Sequence, residues 1–168
     1  MQRLFSPWRS KYIDTFSSPG RGKRACILCA AHRDHKDDEH LIVTRGEKAY
    51  VLLNLFPYNS GHVMVVPYRH VPALTDLSEE ESSEVMQLMK RMTIALQSVS
   101  RPDGFNIGSN IGRVAGAGIA DHVHFHVVPR WTGDTNFMPV LADTKMISVD
   151  LKETLLKLRK ALKARARR

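Results

Sequence analysis

Short apolar stretches bounded by turn residues run through the middle of this chain, and two longer stretches repeat apolar residues at steps of three and four. The first pattern fits strands and the second fits amphipathic helices. His40–Thr44 and Lys48–Asn54 read as two strands joined by the turn Arg45-Gly46-Glu47. His62–Val66 reads as a third, after a loop holding Pro57 and Gly61, and Pro67 and Pro72 bracket an extended connection behind it. Gly104–Asn110 and His122–Val128 read as a fourth and a fifth, separated by a glycine-rich loop. The spacing of Val85, Leu88, Met92, Leu96 and Val99 predicts a helix over Ser78–Val99. Ser78 and Glu81 form a capping-box pattern at its start, and Pro102 and Gly104 end it. Met86, Met89 and Met92 on this helix read as core filling. A last helix is predicted from Leu151 to about Leu162, capped by Asp150 with Glu153 three residues on, its apolar stripe made by Leu151, Leu155, Leu158 and Leu162. Antiparallel strands with two helices make an α+β domain. Nearer the start, Trp8, Tyr12 and Phe16 recur at a helix-like spacing, 17–24 is a loop by composition, and the polar run Ala30–Glu39 reads as a surface connection.

A chain of 168 residues defaults to one domain and can bury a core without disulfides. No apolar run approaches the length of a membrane span, and the first residues lack the apolar stretch of a signal peptide. The net charge of +8 invites a nucleic-acid reading, but seven of the basic residues fall in Lys157–Arg168. Before them stand 18 basic and 17 acidic residues, a net of +1. The boundary expected from this is a domain over 1–156 and, over 157–168, the basic end of the last helix. Cations near a helix C-terminus suit its dipole. The tail carries no interleaved aromatics for stacking on bases, so nucleic acid is a possible partner through it but not the favoured one.

Chemistry concentrates at His122, His124 and His126, which alternate with Val123, Phe125 and Val127. On a strand this alternation sends the imidazoles to one face and the apolar residues to the other. Packing alone does not account for three such rings, because a buried imidazole needs a hydrogen-bond partner. Alternate residues of a straight strand span about 13 Å from first to third, too far for one metal to take all three. At most two share an ion, and the other chemistry open to them is nucleophilic catalysis. The preceding loop, Gly108 to Gly118, holds Ser109, Asn110 and Arg113 among glycines that let backbone N–H groups approach an anion.

Two cysteines, Cys26 and Cys29, form C-x-x-C. So few cysteines point to a reducing, cytoplasmic setting. The pair reads as a redox couple, as two buried thiols, or as half of a zinc site, with His32 and His35 as local candidates for the other half.

His-Val-His-Phe-His-Val-Val resembles the signature of the histidine triad (HIT) family of nucleotide hydrolases and transferases. The segment from Asn54 to His62 with the following Val-Met-Val-Val-Pro67 resembles that family's nucleotide-binding strand pair. Gly104 through Phe137 is similar to bacterial proteins related to diadenosine tetraphosphate phosphorylases. The resemblance covers roughly 5–160. It implies the HIT fold, an antiparallel sheet of about five strands with a long central helix and a C-terminal helix. It implies that His124 attacks the α-phosphorus of a nucleotide, with His126 and His62 beside the phosphate. It places Asn54, Ser109, Asn110, Gly116 and Gly118 at the nucleotide or its phosphates. Gly118 stands where some members carry Gln or Ser. The resemblance also assigns a structural zinc to Cys26, Cys29, His70 and His122, in preference to the set with His32 and His35, and it implies a homodimer.

The expected function is cleavage of dinucleoside polyphosphates through a nucleotidyl-histidine intermediate. Hydrolysis of nucleoside phosphoramidates or aminoacyl adenylates is the alternative within the family. A nucleotide- or nucleic-acid-binding protein without turnover is the alternative outside it.

Overall fold

The structure, a computed structural model, describes residues 26–134 and 150–166. The expected repeat at Trp8, Tyr12 and Phe16 and the loop at 17–24 lie outside these residues, as do Phe137 and the last two residues of the basic tail. A short helix, α1 (Ile27–Arg33), precedes three strands: β1 (Ile42–Arg45), β2 (Ala49–Leu53) and β3 (Val63–Pro67). The long helix α2 (Glu79–Ser100) follows, then β4 (Gly104–Gly108), β5 (Phe125–Arg130) and the helix α3 (Leu151–Ala166). The five strands form one antiparallel sheet in the order β1-β2-β3-β5-β4.

The predicted elements are present with shifted ends. Gly46 N–H bonds the Ala49 carbonyl at 2.8 Å, which closes the β1–β2 turn one residue later than the glycine pattern implied. At α2, the Ser78 side chain accepts from Glu81 N–H while the Glu81 carboxylate accepts from Ser78 N–H. Asp150 Oδ1 accepts from the N–H groups of Lys152 and Glu153 at the start of α3. That helix runs to Ala166, four residues past its predicted end.

Three expectations are corrected. Met89 and Met92 of α2 fill the core as expected, but Met86 is exposed. The connection Ala30–Glu39 begins inside α1, whose seven residues, about two turns, are too few for its apolar spacing to stand out. The fifth strand begins at Phe125 and not at His122. Its ladder with β3 starts at the Val65–Phe125 pair, and Val123 N–H bonds the Val71 carbonyl outside the sheet.

Alternation nevertheless sorts the side chains. Val51, Val63, Val65, Val123, Phe125 and Val127 pack beneath α2 and α3 in the larger core. Tyr50, Leu52, Met64 and Val66 face the other way and pack with Leu28 of α1. His62 and His126 share this second face, because His62 lies two residues before Met64 and His126 is paired with Met64.

Candidate active site

His124 is buried, and its Nδ1 lies 2.9 Å from the backbone carbonyl of His122. A carbonyl only accepts, so Nδ1 carries the proton and Nε2 carries the lone pair. Burial holds the imidazole below its ordinary pKa, which keeps that lone pair unprotonated at neutral pH. The Ser109 hydroxyl donates to the His124 carbonyl at 2.8 Å and pins the same residue from the other side.

A second chain of bonds fixes His126. Tyr58 N–H donates to Nδ1 of His62 at 3.0 Å. The proton of His62 is therefore on Nε2, which lies 2.9 Å from Nδ1 of His126. His126 accepts there and carries its own proton on Nε2. The rings of His124 and His126 stand edge to face with centroids 5.0 Å apart. The pair thus presents one bare nitrogen and one N–H donor, the combination a displacement at phosphorus uses.

His122 faces elsewhere. Its Nε2 donates to the Pro67 carbonyl at 2.9 Å, so Nδ1 holds a lone pair. That atom lies 3.4 Å from Cys26 Sγ, 3.6 Å from Cys29 Sγ and 3.3 Å from His70 Nδ1. All four ligand atoms lie within 4.8 Å of one another. A tetrahedron with zinc–sulfur and zinc–nitrogen bond lengths has edges of about 3.4–3.8 Å, so the residues fit a closed Cys2His2 site. Burial lowers the His122 pKa to about 4, which leaves the ring neutral and able to ligate. The local alternative is not assembled: His32 packs against Tyr50 and Tyr68, and His35 is exposed in the loop beyond α1.

The HIT domain family model matches residues 35–133. The chain belongs to the HIT family. An AP-4-A phosphorylase of Mycobacterium tuberculosis is 41% identical to this HIT chain over 157 residues, 92% of this chain and 80% of that one. An adenosine 5'-monophosphoramidase of Schizosaccharomyces pombe is 31% identical over 106 residues, 63% of this chain and 74% of that one. Among solved structures, a Zn-bound histidine triad family protein from Mycobacterium smegmatis superposes with a TM-score of 0.69 at 28% identity, over 85% of this chain and 96% of that one.

Several candidate residues of the HIT chain are engaged in holding the site. Asn54 is buried beneath the His62 loop, where its Oδ1 accepts from Phe56 N–H and its Nδ2 lies 3.4 Å from His62 Nδ1. Asn110, Gly116 and Gly118 fall in the loop between β4 and β5. Gly112 and Gly116 there adopt φ of 81° and 89°, a left-handed backbone that bulkier residues resist, and they bracket a 3-10 turn at Arg113–Ala115.

Sequence reasoning missed the groups that act through backbone or over long separations. Tyr58 sets the His62 tautomer with its N–H, which no side-chain pattern reveals. Asn59 donates to the Asp134 carboxylate at 2.7 Å and to the Pro129 carbonyl at 3.1 Å, tying the His62 loop to the end of β5. Asp134 also receives the Arg130 guanidinium and Trp131 N–H, and the Arg130 contact holds its pKa down at about 2. The clustering of Asn59, Arg130 and Asp134 could have been found only from paired changes among relatives.

Proposed function

We propose that this chain cleaves dinucleoside polyphosphates of the diadenosine tetraphosphate class at the α-phosphorus, through a nucleotidyl-histidine intermediate. The bond from Nδ1 of His124 to the His122 carbonyl carries this reading, since it places the lone pair of the neutral ring on Nε2. In the first step Nε2 gives its lone pair to the α-phosphorus. A P–N bond forms, and the bond from phosphorus to the bridging oxygen breaks. The oxygen leaves with that electron pair as part of ATP, and the N–H of His126 meets its charge, with His62 holding His126 in the donating tautomer. In the second step an oxygen of inorganic phosphate attacks the same phosphorus. The P–N bond breaks, its electrons return to Nε2, and ADP departs. With water in place of phosphate the products are AMP and a proton.

Similarity to the mycobacterial phosphorylase supports phosphate as the acceptor. Similarity to the monophosphoramidase supports phosphoramidate hydrolysis as the second reading, through the same His124 intermediate with an amine leaving. Ser109, Asn110, Gly116 and Gly118 border the phosphates in both readings, and Asn54 the nucleoside. Zinc bound by Cys26, Cys29, His70 and His122 supplies a structural cross-link and takes no part in either step. Free cysteines placed as ligands support a reducing, cytoplasmic location. Half-exposed Ile107 on strand β4, with β4 at one end of the strand order, supports a homodimer. No helix among the described residues is long and apolar enough to cross a membrane.

Product analysis with diadenosine tetraphosphate tests the reading. ATP and ADP formed only with inorganic phosphate identify a phosphorylase, and ATP and AMP without it identify a hydrolase. Replacement His124→Ala is expected to abolish turnover while nucleotide still binds. Wild-type turnover by that variant would rule out the histidine intermediate.

A further inference from the structure

A tetraphosphate chain brings several negative charges to the site of His124. Among the described residues, the segments framing His124 are 54–62 and 104–126, and Arg113 is the one Lys or Arg that either contains. Its place in the fold is defined by both feet of its loop. At the first foot, Gly108 pairs with His126 and the Ser109 hydroxyl bonds the His124 carbonyl. At the second, Ala117 is buried and Ile119 packs against the cluster of Tyr50, Met64 and Val66 on the histidine face. The loop therefore spans the surface beside His124, with the turn Arg113–Ala115 between its feet.

That turn is built and not slack. Gly116 N–H bonds the Arg113 carbonyl at 2.9 Å, and Ala117 N–H bonds the Gly112 carbonyl at 3.3 Å. The two left-handed glycines fix its direction. The Arg113 side chain is exposed and makes no ion pair among the described residues, which leaves its guanidinium available to a ligand. Gly118, on the same loop, offers no side chain to a ligand.

We infer that Arg113 binds the leaving polyphosphate, beyond the α-phosphate, and so selects substrates whose leaving group is a phosphate chain. This rests on the reading of His124 as nucleophile toward a dinucleoside polyphosphate. A guanidinium suits the role because its fork of donors spans two phosphoryl oxygens and stays charged at every working pH. The contact adds charge where the departing chain gains it, so its effect falls on bond cleavage as well as on binding.

The test compares two substrates of the full chain. Diadenosine tetraphosphate leaves as ATP, while the p-nitrophenyl ester of AMP leaves without any phosphate. The ratio of their kcat/KM values is expected to fall about tenfold or more in Arg113→Ala, the scale of one charged hydrogen bond. Arg113→Lys is expected to recover part of the loss, and raising the salt concentration to narrow the gap between wild type and Arg113→Ala. A ratio within twofold of wild type in both variants would overturn the inference. If wild type cleaves the ester but not diadenosine tetraphosphate, the parent reading fails instead, and the two failures are told apart by wild type alone.

Discussion

His122 divides its labour between side chain and main chain. The ring faces Cys26, Cys29 and His70, while the carbonyl holds the proton of His124. Ser109 performs the second half of the task by donating to the His124 carbonyl. Ser109→Ala is expected to lower kcat about tenfold with KM nearly unchanged, because the nucleophile loses its positioning bond. A rise in KM at constant kcat would show that Ser109 acts on the bound phosphates and not on the nucleophile. Asp134 gives a pH-dependent prediction. Its carboxyl titrates at about 2 in the folded chain, below the ordinary value of about 3.9 in an unfolded one. The stability it contributes is therefore complete above about pH 4 and disappears as the pH falls toward 2. The difference in melting temperature between wild type and Asp134→Asn is expected to follow that course. A difference that stays constant across this range would show that the carboxylate charge is not what matters.

At the scale of elements, the features legible in the sequence were those made by near neighbours. Ser78 and Glu81 announced the start of α2 because a capping box is complete within four residues. The alternation of His122 through Val127 announced that Val123, Phe125 and Val127 enter the core, even though the ladder starts only at Phe125, but not that His122 turns to the cysteines. Helix α1 was not legible, since it has only about two turns and no side-chain cap. The partners of the cysteines were not legible from spacing either. His32 and His35 are nearer in the chain, and the resemblance, not the pattern, pointed to His70 and His122. Tautomers were out of reach altogether, because the Tyr58 N–H and the Pro67 and His122 carbonyls that decide them leave no mark on side-chain identity. Glu81 shows how much one legible residue can hold. Besides capping α2 it pairs with Arg69, next to His70 of the proposed zinc site, and Arg69 also bonds the Asp76 carbonyl. Glu81→Ala is expected to destabilise the chain by about 1–2 kcal/mol and to weaken zinc binding in a chelator competition. Unchanged zinc affinity would confine Glu81 to the helix cap.

For the molecule as a whole, the basic end of α3 is partly built into the fold. Leu158 is fully buried, and Arg159 bonds the Ile42 carbonyl and Asp38. Among the described residues, the exposed cations of α3 beyond them, Lys160, Lys163 and Arg165, are available to a polyanion. Reversing those three charges is expected to leave the melting temperature within a few degrees and to remove any salt-sensitive oligonucleotide binding. Binding that survives the reversal would clear the tail of that role.

The zinc site proposed at Cys26, Cys29, His70 and His122 also has a kinetic meaning. Cys26 and His122 are 96 residues apart, so an ion held between them closes a loop over most of the described chain. A cross-link of that length restricts the unfolded chain by about 4–5 kcal/mol in the chain-entropy picture. Contacts so distant in sequence form late, after the sheet has brought β5 beside β3. An interaction made after the rate-limiting barrier acts on escape from the native state and not on its formation. Zinc should therefore leave the refolding rate nearly untouched and slow unfolding by orders of magnitude, so that the ion serves this fold as a latch that engages last and is the first thing unfolding has to undo.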